Sequence, residues 1–265
     1  MDKENIFYDT EYRFSYYSSP KKSSKALLFI GGNGTSVKFW KHQVKFFEQA
    51  GWKCVVMDYN YDKKNFKSHY QYTHRQFLHL LSKLGLEKVV LIGHSYGGNN
   101  AMFIAAHSPE KVEKLVLVNT NTSYPMTKLD FLLYSLNEFI AKGLFLILSV
   151  FRIDYMISKK YFEEGRKRYR NFKDFLKDNP FQAKRFSCSK YSVNYSLEED
   201  VKKIKCKSLM IEGISDPLVK KKDAFSLRKK IKGSKLKLLQ GSHLLPLSKP
   251  DKLNKLVSTF IKNGK

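Results

Sequence analysis

This 265-residue chain predicts an α/β fold, a mostly parallel sheet flanked by helices with a helical lid inserted. Three observations carry that expectation. Short, unbroken apolar runs recur along the chain, as in strands covered on both faces by helices. Segments with apolar residues at helical spacing lie between them, the order expected of β-α-β units. The rhythm stops near Thr122 and resumes near Val201, so the stretch between reads as an insertion rather than as part of the sheet.

Each element has its own signal. Residues 5–18 alternate apolar and polar, with many aromatics, and suggest strands closed by a turn at Ser19-Pro20-Lys21-Lys22. Ala26 to Ile30 is a buried-strand run; Gly31-Gly32-Asn33-Gly34 ends it, and Val37 to Ala50 reads as a helix. Cys54 to Met57 is a second such run, stopping at Asp58. Phe77, Leu80, Leu81 and Leu84 set a helix over Thr73 to Leu84, with Gly85 as its C-cap. A strand over Lys88 to Ile92, a helix over Gly98 to His107 and a strand over Lys114 to Val118 complete the first part of the core. From Thr122 to Glu199 there is no buried-strand signal, and Leu129, Leu132, Leu133, Leu136, Phe139 and Ile140 keep helical spacing. The pattern returns with a strand over Ser208 to Ile211, a helix over Lys221 to Lys232, a strand over Leu236 to Leu239 and a helix over Asp251 to Lys262. The expected organisation is core over 1–121, helical lid over 122–200 and core again over 201–265.

Composition narrows the function classes. Lys and Arg number 49 against 24 Asp and Glu, a formal net charge of +25. Such an excess invites a nucleic-acid or anionic-membrane partner. Only eight of the basic residues are Arg, however, and the lysines are spread along the chain. Phosphate and base recognition favours the planar fork of Arg, so no specific nucleic-acid partner is expected. Cys54, Cys188 and Cys206 are odd in number and widely spaced, which fits neither a disulfide framework nor a zinc site. Met1-Asp-Lys-Glu-Asn begins no secretory signal. The longest uncharged apolar run, Gly143 to Phe151, has nine residues, far short of a bilayer span. The expectation is a cytoplasmic protein.

Chemistry concentrates at Gly93-His94-Ser95-Tyr96-Gly97, a G-x-S-x-G that follows a strand and precedes a helix. In that context a sharp turn strains the backbone of the central serine, pushes its Oγ out at the carboxyl edge of the sheet, and aims a helix N-terminus at it. The alternative, an ordinary serine in a Gly-rich turn, is weakened by the strand before, the helix after and the further Gly98. Gly31 to Gly34 weakly resembles a phosphate loop, but no Gly-Lys-Ser/Thr follows, and Val37 and Lys38 stand where a dinucleotide loop needs a third glycine.

On these residues the chain resembles the α/β-hydrolase fold family over nearly its whole length. Gly93-His94-Ser95-Tyr96-Gly97-Gly98 is similar to the family's nucleophile elbow and implies Ser95 as nucleophile. Gly213-Ile214-Ser215-Asp216-Pro217 resembles its acid turn and implies Asp216. Gly241-Ser242-His243 resembles its histidine loop and implies His243, and the chain order Ser, Asp, His agrees. Elimination points the same way: of seven histidines, only His243 lies in a turn after a late strand. His94 lies inside the elbow, His74, His79 and His107 read as surface or capping residues on helices, and His42 and His69 stay open. An Asp-Pro pair is also a common turn former, so Asp216 has a structural alternative.

The resemblance implies an oxyanion hole from the backbone N–H groups of Tyr96 and Asn33, no metal and no organic cofactor. This chain departs from the family pattern at Gly31, where a histidine is usual, after Asp58, where Tyr59 to Lys64 replaces a Gly-rich turn, and at Lys207, where proline is common. The expected activity is a serine hydrolase cleaving a small ester or related acyl substrate. Carbon–carbon bond hydrolysis on the same scaffold, and a non-catalytic ligand receptor retaining the triad, are the alternatives. The lid is rich in aromatics, most of which should pack against the core, with a few left to line a pocket over Ser95. It also holds the densest Arg cluster, Lys159, Lys160, Arg166, Arg168 and Arg170, which reads either as a solvated face or as a docking point for an anionic membrane.

Overall fold

The apolar runs become neighbouring strands of one sheet. The structure, a computed structural model, describes residues 3–23, 25–33, 35–59, 68–122 and 195–263. The strands are β1 (Ile6–Asp9), β2 (Phe14–Ser18), β3 (Ala26–Ile30), β4 (Lys53–Asp58), β5 (Val89–His94), β6 (Val112–Val118), β7 (Lys207–Gly213) and β8 (Lys235–Leu239). They form an eight-stranded sheet in the order β1-β2-β4-β3-β5-β6-β7-β8. β1 and β2 form an antiparallel hairpin, and β2 meets β4 antiparallel. From β4 across to β8 every pairing is parallel. The chain therefore switches direction of travel at β3, leaving β4 on one side and β5 on the other. Open α/β sheets place their ligand crevice at the carboxyl ends of the strands beside such a switch.

Helices α1 (Lys41–Gln49), α2 (His69–Lys83), α3 (Tyr96–His107), α4 (Lys221–Lys230), α5 (Leu245–Ser248) and α6 (Pro250–Lys262) accompany the sheet among the described residues. Alternation along the strands divides the core into two. Leu28, Ile30, Leu91, Leu115 and Met210 face the layer that holds Phe77 and Leu80 of α2, Met102 of α3 and Leu227 of α4. Leu27, Phe29, Ile92, Val116 and Ile211 face the layer that holds Val44 and Phe47 of α1 with Leu253 and Val257 of α6. Each fully buried aliphatic or aromatic side chain stabilises by roughly 1.5–3 kcal/mol, so a sheet covered on both faces has ample driving force.

Several boundaries differ from the sequence expectation, each for a physical reason. The segment read as one helix over Val37 to Ala50 opens with a 3-10 turn, Val37–Trp40, before α1 begins. α2 starts at His69 rather than Thr73, because Ser68 caps it and its hydroxyl accepts the Gln71 amide at 3.3 Å. The extra turn is buried through His69, Tyr70 and Tyr72, residues an aliphatic pattern does not count. α5 is four residues long, too short for a periodic signal. The expected lid, 122–200, falls almost wholly on residues 123–194, outside the described residues, and Cys188 and the Lys159 to Arg170 cluster lie there too. Among the described residues no helix is long and apolar enough to cross a membrane.

The β1–β2 hairpin is tied to α2 by a buried carboxylate. Asp9 accepts from the Tyr12 amide at 2.9 Å, His79 Nε2 at 2.9 Å and Lys83 Nζ at 2.8 Å. His79 is thus part of an ion-pair network rather than a plain surface residue. Burial alone would raise the Asp9 carboxyl, but the Lys83, Tyr12 and His79 contacts outweigh it and hold the pKa at about 2. A depressed folded-state pKa stabilises above the unfolded value of 3.8 and is lost as pH falls through about 2. Asp9→Asn is accordingly expected to cost about 1–2 kcal/mol at neutral pH, after allowing for solvent screening at the half-exposed Lys83. In urea denaturation that deficit should vanish near about pH 2; a deficit unchanged down to that pH would show that the charge is not its source.

Candidate active site

Parallel strands deliver their carboxyl ends to one edge, and five loops meet there. They follow β3, β5, β6, β7 and β8 and bring in Gly31 to Asn33, Ser95, Asn119, Asp216 and His243 respectively. Residues distant in the chain are neighbours here because the sheet is parallel, not because of local sequence.

Ser95 is the turn between β5 and α3. Its φ of 53° and ψ of −127° lie in a region that a residue with a side chain enters only under constraint. The constraint is visible. The Ser95 amide donates to the Val118 carbonyl at 3.0 Å, and its carbonyl accepts from the Gly98 amide and from Thr120 Oγ1, each at 2.8 Å. The turn is also crowded from behind: a Cβ on Gly97 would lie 2.4 Å from the carbonyl oxygens of both Ile30 and Gly31. Only glycine allows the elbow to close this tightly on the end of β3.

His243 bridges the other two side chains. Its Nε2 lies 3.0 Å from Ser95 Oγ, and its Nδ1 lies 2.7 Å from Asp216 Oδ2. A carboxylate only accepts, so Nδ1 carries the proton and Nε2 is left to accept from the serine hydroxyl. Asp216 is saturated with donors: Oδ2 also takes Asn119 Nδ2 at 2.6 Å, and Oδ1 takes the amides of Leu218 at 2.8 Å and Val219 at 3.1 Å. Burial opposes its ionisation, but the hydrogen bond and charge of His243 and the two amides prevail and hold the carboxyl below its ordinary range.

Beneath this row sits His94. Its Nε2 donates to the His243 carbonyl at 2.8 Å, and the two rings are 4.9 Å apart. Full burial and the neighbouring His243 push its pKa down to about 3, so it is a neutral spacer that fixes the His243 backbone. His69, left open by sequence, is fully buried, with Nδ1 3.5 Å from both Tyr96 Oη and Thr73 Oγ1; burial takes it to about 3. His74 is half-buried against Ser108 Oγ at 2.8 Å rather than a surface residue, and burial takes it to about 4. His107 is exposed and pairs with Asp200 at 2.9 Å.

The two expected oxyanion donors are the amides of Tyr96 and Asn33. Tyr96 opens α3, so its amide belongs to the first helical turn, which has no intrahelical acceptor. Asn33 follows Gly32, and a Cβ on Gly32 would be 2.9 Å from Ser95 Cβ and 3.0 Å from His94 Nδ1. The loop after β3 therefore runs directly over the serine, an approach that a larger residue at 32 would block. The histidine usual at position 31 is not needed for that closeness, since Thr35 Oγ1 and the Thr35 amide both close the loop on the Gly32 carbonyl at 2.8 and 3.2 Å.

Three residues of this region carry no motif and were missed by sequence reasoning: Asn119, Thr120 and Glu212. Asn119 has a φ of 51°, a conformation in which Asn is enriched, and an Asn directly after a buried strand was the available signal. Glu212 on β7 is 2% exposed, and its Oε1 accepts the Thr120 amide at 3.2 Å. Burial, reinforced by the Asp216 charge, raises its carboxyl well above the ordinary value. A raised folded-state pKa means that the fold holds a proton the unfolded chain has released, so this contribution is lost as pH rises from about 4.5 towards the folded value. Glu212→Gln keeps the acceptor for Thr120 and is expected to be at least as stable as the wild type at about pH 8, with a smaller loss of stability between about pH 5 and 8. Urea denaturation at the two pH values measures it; a variant less stable by more than about 1 kcal/mol at the higher pH would show that Glu212 is ionised there.

Known proteins agree with this architecture. Mouse epoxide hydrolase 4 is 29% identical over 117 residues, 42% of this chain and 32% of that protein. The 2-hydroxy-6-oxononadienedioate/2-hydroxy-6-oxononatrienedioate hydrolase of Paraburkholderia phymatum is 28% identical over 118 residues, 42% of this chain and 41% of that protein. These alignments thus reach well under half the length of either relative. The solved esterase EaEST of Exiguobacterium antarcticum superimposes with a TM-score of 0.75 at 17% identity, covering 98% of this chain and 99% of that one, a likeness of fold. A family model described as alpha/beta hydrolase fold matches residues 25–250, a span that takes in the β5 elbow, the β7 acid turn and the loop after β8. By that match and by the shared sheet, this chain belongs to the alpha/beta hydrolase fold family.

Proposed function

We propose that this chain is a serine hydrolase that cleaves an ester or related acyl bond through an acyl-enzyme. The observation that carries the reading is the single imidazole set 3.0 Å from Ser95 Oγ and 2.7 Å from Asp216 Oδ2. In this reading His243 Nε2 takes the Ser95 proton as Oγ attacks the acyl carbon, and a tetrahedral oxyanion forms. Asp216, held ionised, keeps the Nδ1–H tautomer and stabilises the imidazolium. The amides of Tyr96 and Asn33 stabilise the oxyanion. The imidazolium then protonates the leaving group, the carbonyl re-forms as the acyl-enzyme, and water repeats the cycle on it, releasing acid and Ser95.

The similarity to epoxide hydrolase 4 does not carry epoxide opening across. Enzymes of that chemistry in this family typically attack with a carboxylate, and the elbow here presents a serine hydroxyl. Carbon–carbon hydrolysis is the second reading, favoured by the likeness to the Paraburkholderia phymatum hydrolase, because a serine with the same base suits either bond. A fluorophosphonate probe tests the common core: one equivalent is expected on Ser95, and none would favour a ligand receptor. p-Nitrophenyl esters of increasing chain length would then report the depth of the acyl pocket, and a 2-hydroxy-6-oxo-dienoate compared with them would separate ester from carbon–carbon chemistry. Docking of Lys159, Lys160, Arg166, Arg168 and Arg170 on an anionic membrane is a separate proposal, tested by co-sedimentation with phosphatidylserine vesicles at low and high salt.

A further inference from the structure

We propose that Asn119 is a positioning residue of this site, whose side-chain amide holds Asp216, and through it His243, in line with Ser95. The inference rests on the serine hydrolase reading and adds a fourth side chain to it.

Asn119 is the first residue after β6, fully buried, and one of three non-glycine residues among those described with positive φ. Its backbone is pinned, since its amide donates to the Ile211 carbonyl of β7 at 3.0 Å. With the backbone fixed in this conformation, the side chain points along the sheet edge towards the acid turn. There Nδ2 lies 2.6 Å from Asp216 Oδ2 and 3.4 Å from the Ser242 carbonyl. Both neighbours accept only, so the atom facing them is the NH₂ end of the amide. The contact is short and charge-assisted, and it falls on the same carboxylate oxygen that takes His243 Nδ1.

A purely structural role does not account for the side chain's orientation. Asn119 Oδ1 is buried and has no hydrogen-bond partner among the described residues. The residue thus leaves one buried acceptor unpaired, which is unfavourable, while pointing its donor at a carboxylate that already has two backbone amides and an imidazole. What the fourth donor adds is direction. The Leu218 and Val219 amides hold Oδ1, whereas Oδ2 is held by Asn119 and takes His243 Nδ1. Thr120, the next residue, holds the Ser95 carbonyl, so one dipeptide at the end of β6 grips the acid and the nucleophile together.

The test separates side chain from backbone. Asn119→Gly tolerates the positive φ and deletes the donor; Asn119→Asp keeps the shape and the tolerated backbone but replaces the donor by an acceptor. Both are compared with the wild type for the rate of fluorophosphonate labelling of Ser95 and for kcat and KM on p-nitrophenyl acetate, with near-ultraviolet circular dichroism as the check on folding. Labelling and kcat are expected to fall by about 10- to 100-fold in both variants, with KM within about threefold of the wild type. Folded variants that label within about twofold of the wild-type rate would overturn the positioning role while leaving the hydrolase reading intact. A wild-type chain that fails to label would overturn that reading and this role with it.

Discussion

Ser95→Ala and His243→Ala are each expected to lower turnover of an activated ester by about 10⁴- to 10⁶-fold, and the double variant should be little worse than either alone. The hydroxyl and the imidazole act as one unit. Without the base 3.0 Å away, Ser95 Oγ is a weak nucleophile, and without Oγ the base has no proton to take. Strict multiplication of the two single losses would mean independent contributions and would contradict the arrangement. Asp216→Asn is expected to keep the geometry and still lose about 10⁴-fold, because a side chain that donates favours the wrong imidazole tautomer. Retention of full activity by Ser95→Ala would remove the mechanism altogether. Titration of the acid limb adds a check. Asp216 is held ionised below its ordinary range, so protonation of its carboxyl should not limit the rate until the pH falls below the usual carboxylate range.

The second large effect is one of packing. Gly97→Ala puts a Cβ 2.4 Å from two carbonyl oxygens, those of Ile30 and Gly31. Neither atom is the end of a flexible side chain that could swing away, so either the end of β3 or the elbow has to move. We expect a loss of more than about 4 kcal/mol, a large part of the total stability of a domain, visible as a collapse of the urea midpoint. Gly85→Ala is the matched control. Gly85 has a φ of 62° with nothing near its Cβ position, so alanine there should cost only about 1 kcal/mol. Equal effects at the two glycines would mean that backbone freedom, and not the close approach to β3, explains Gly97. A Gly97→Ala chain that did fold should label with fluorophosphonate slowly, since displacing the elbow displaces Oγ from His243.

Much of this was legible in the chain because the signals are local. Five apolar residues from Ala26 to Ile30 can be covered only inside a sheet with helices on both faces, and all five are buried. The elbow is written in its glycines, each of which marks a close approach that a side chain would obstruct. Where buried residues are polar or aromatic, the local signal failed: the first turn of α2 is buried through His69, Tyr70 and Tyr72, and an aliphatic pattern passes over it. His79 shows the same limit. Nothing in its own helix reveals that Asp9, 70 residues earlier, is its partner.

Sequence by itself showed that each of the three motif turns follows a buried strand, and through the family resemblance it pointed to the serine, the aspartate and the histidine within them. What surrounds those three was decided only by tertiary structure. Asn119, Thr120, Glu212 and His94 acquire their partners from other elements and loops of the fold, between 21 and 149 positions away along the chain. The physical reason is that a parallel sheet brings distant carboxyl ends to one edge, where burial makes every unpaired polar group costly and so sets which side chain must face which. A motif records the turn that a residue makes, while the hydrogen bond that orients it belongs to the packed sheet.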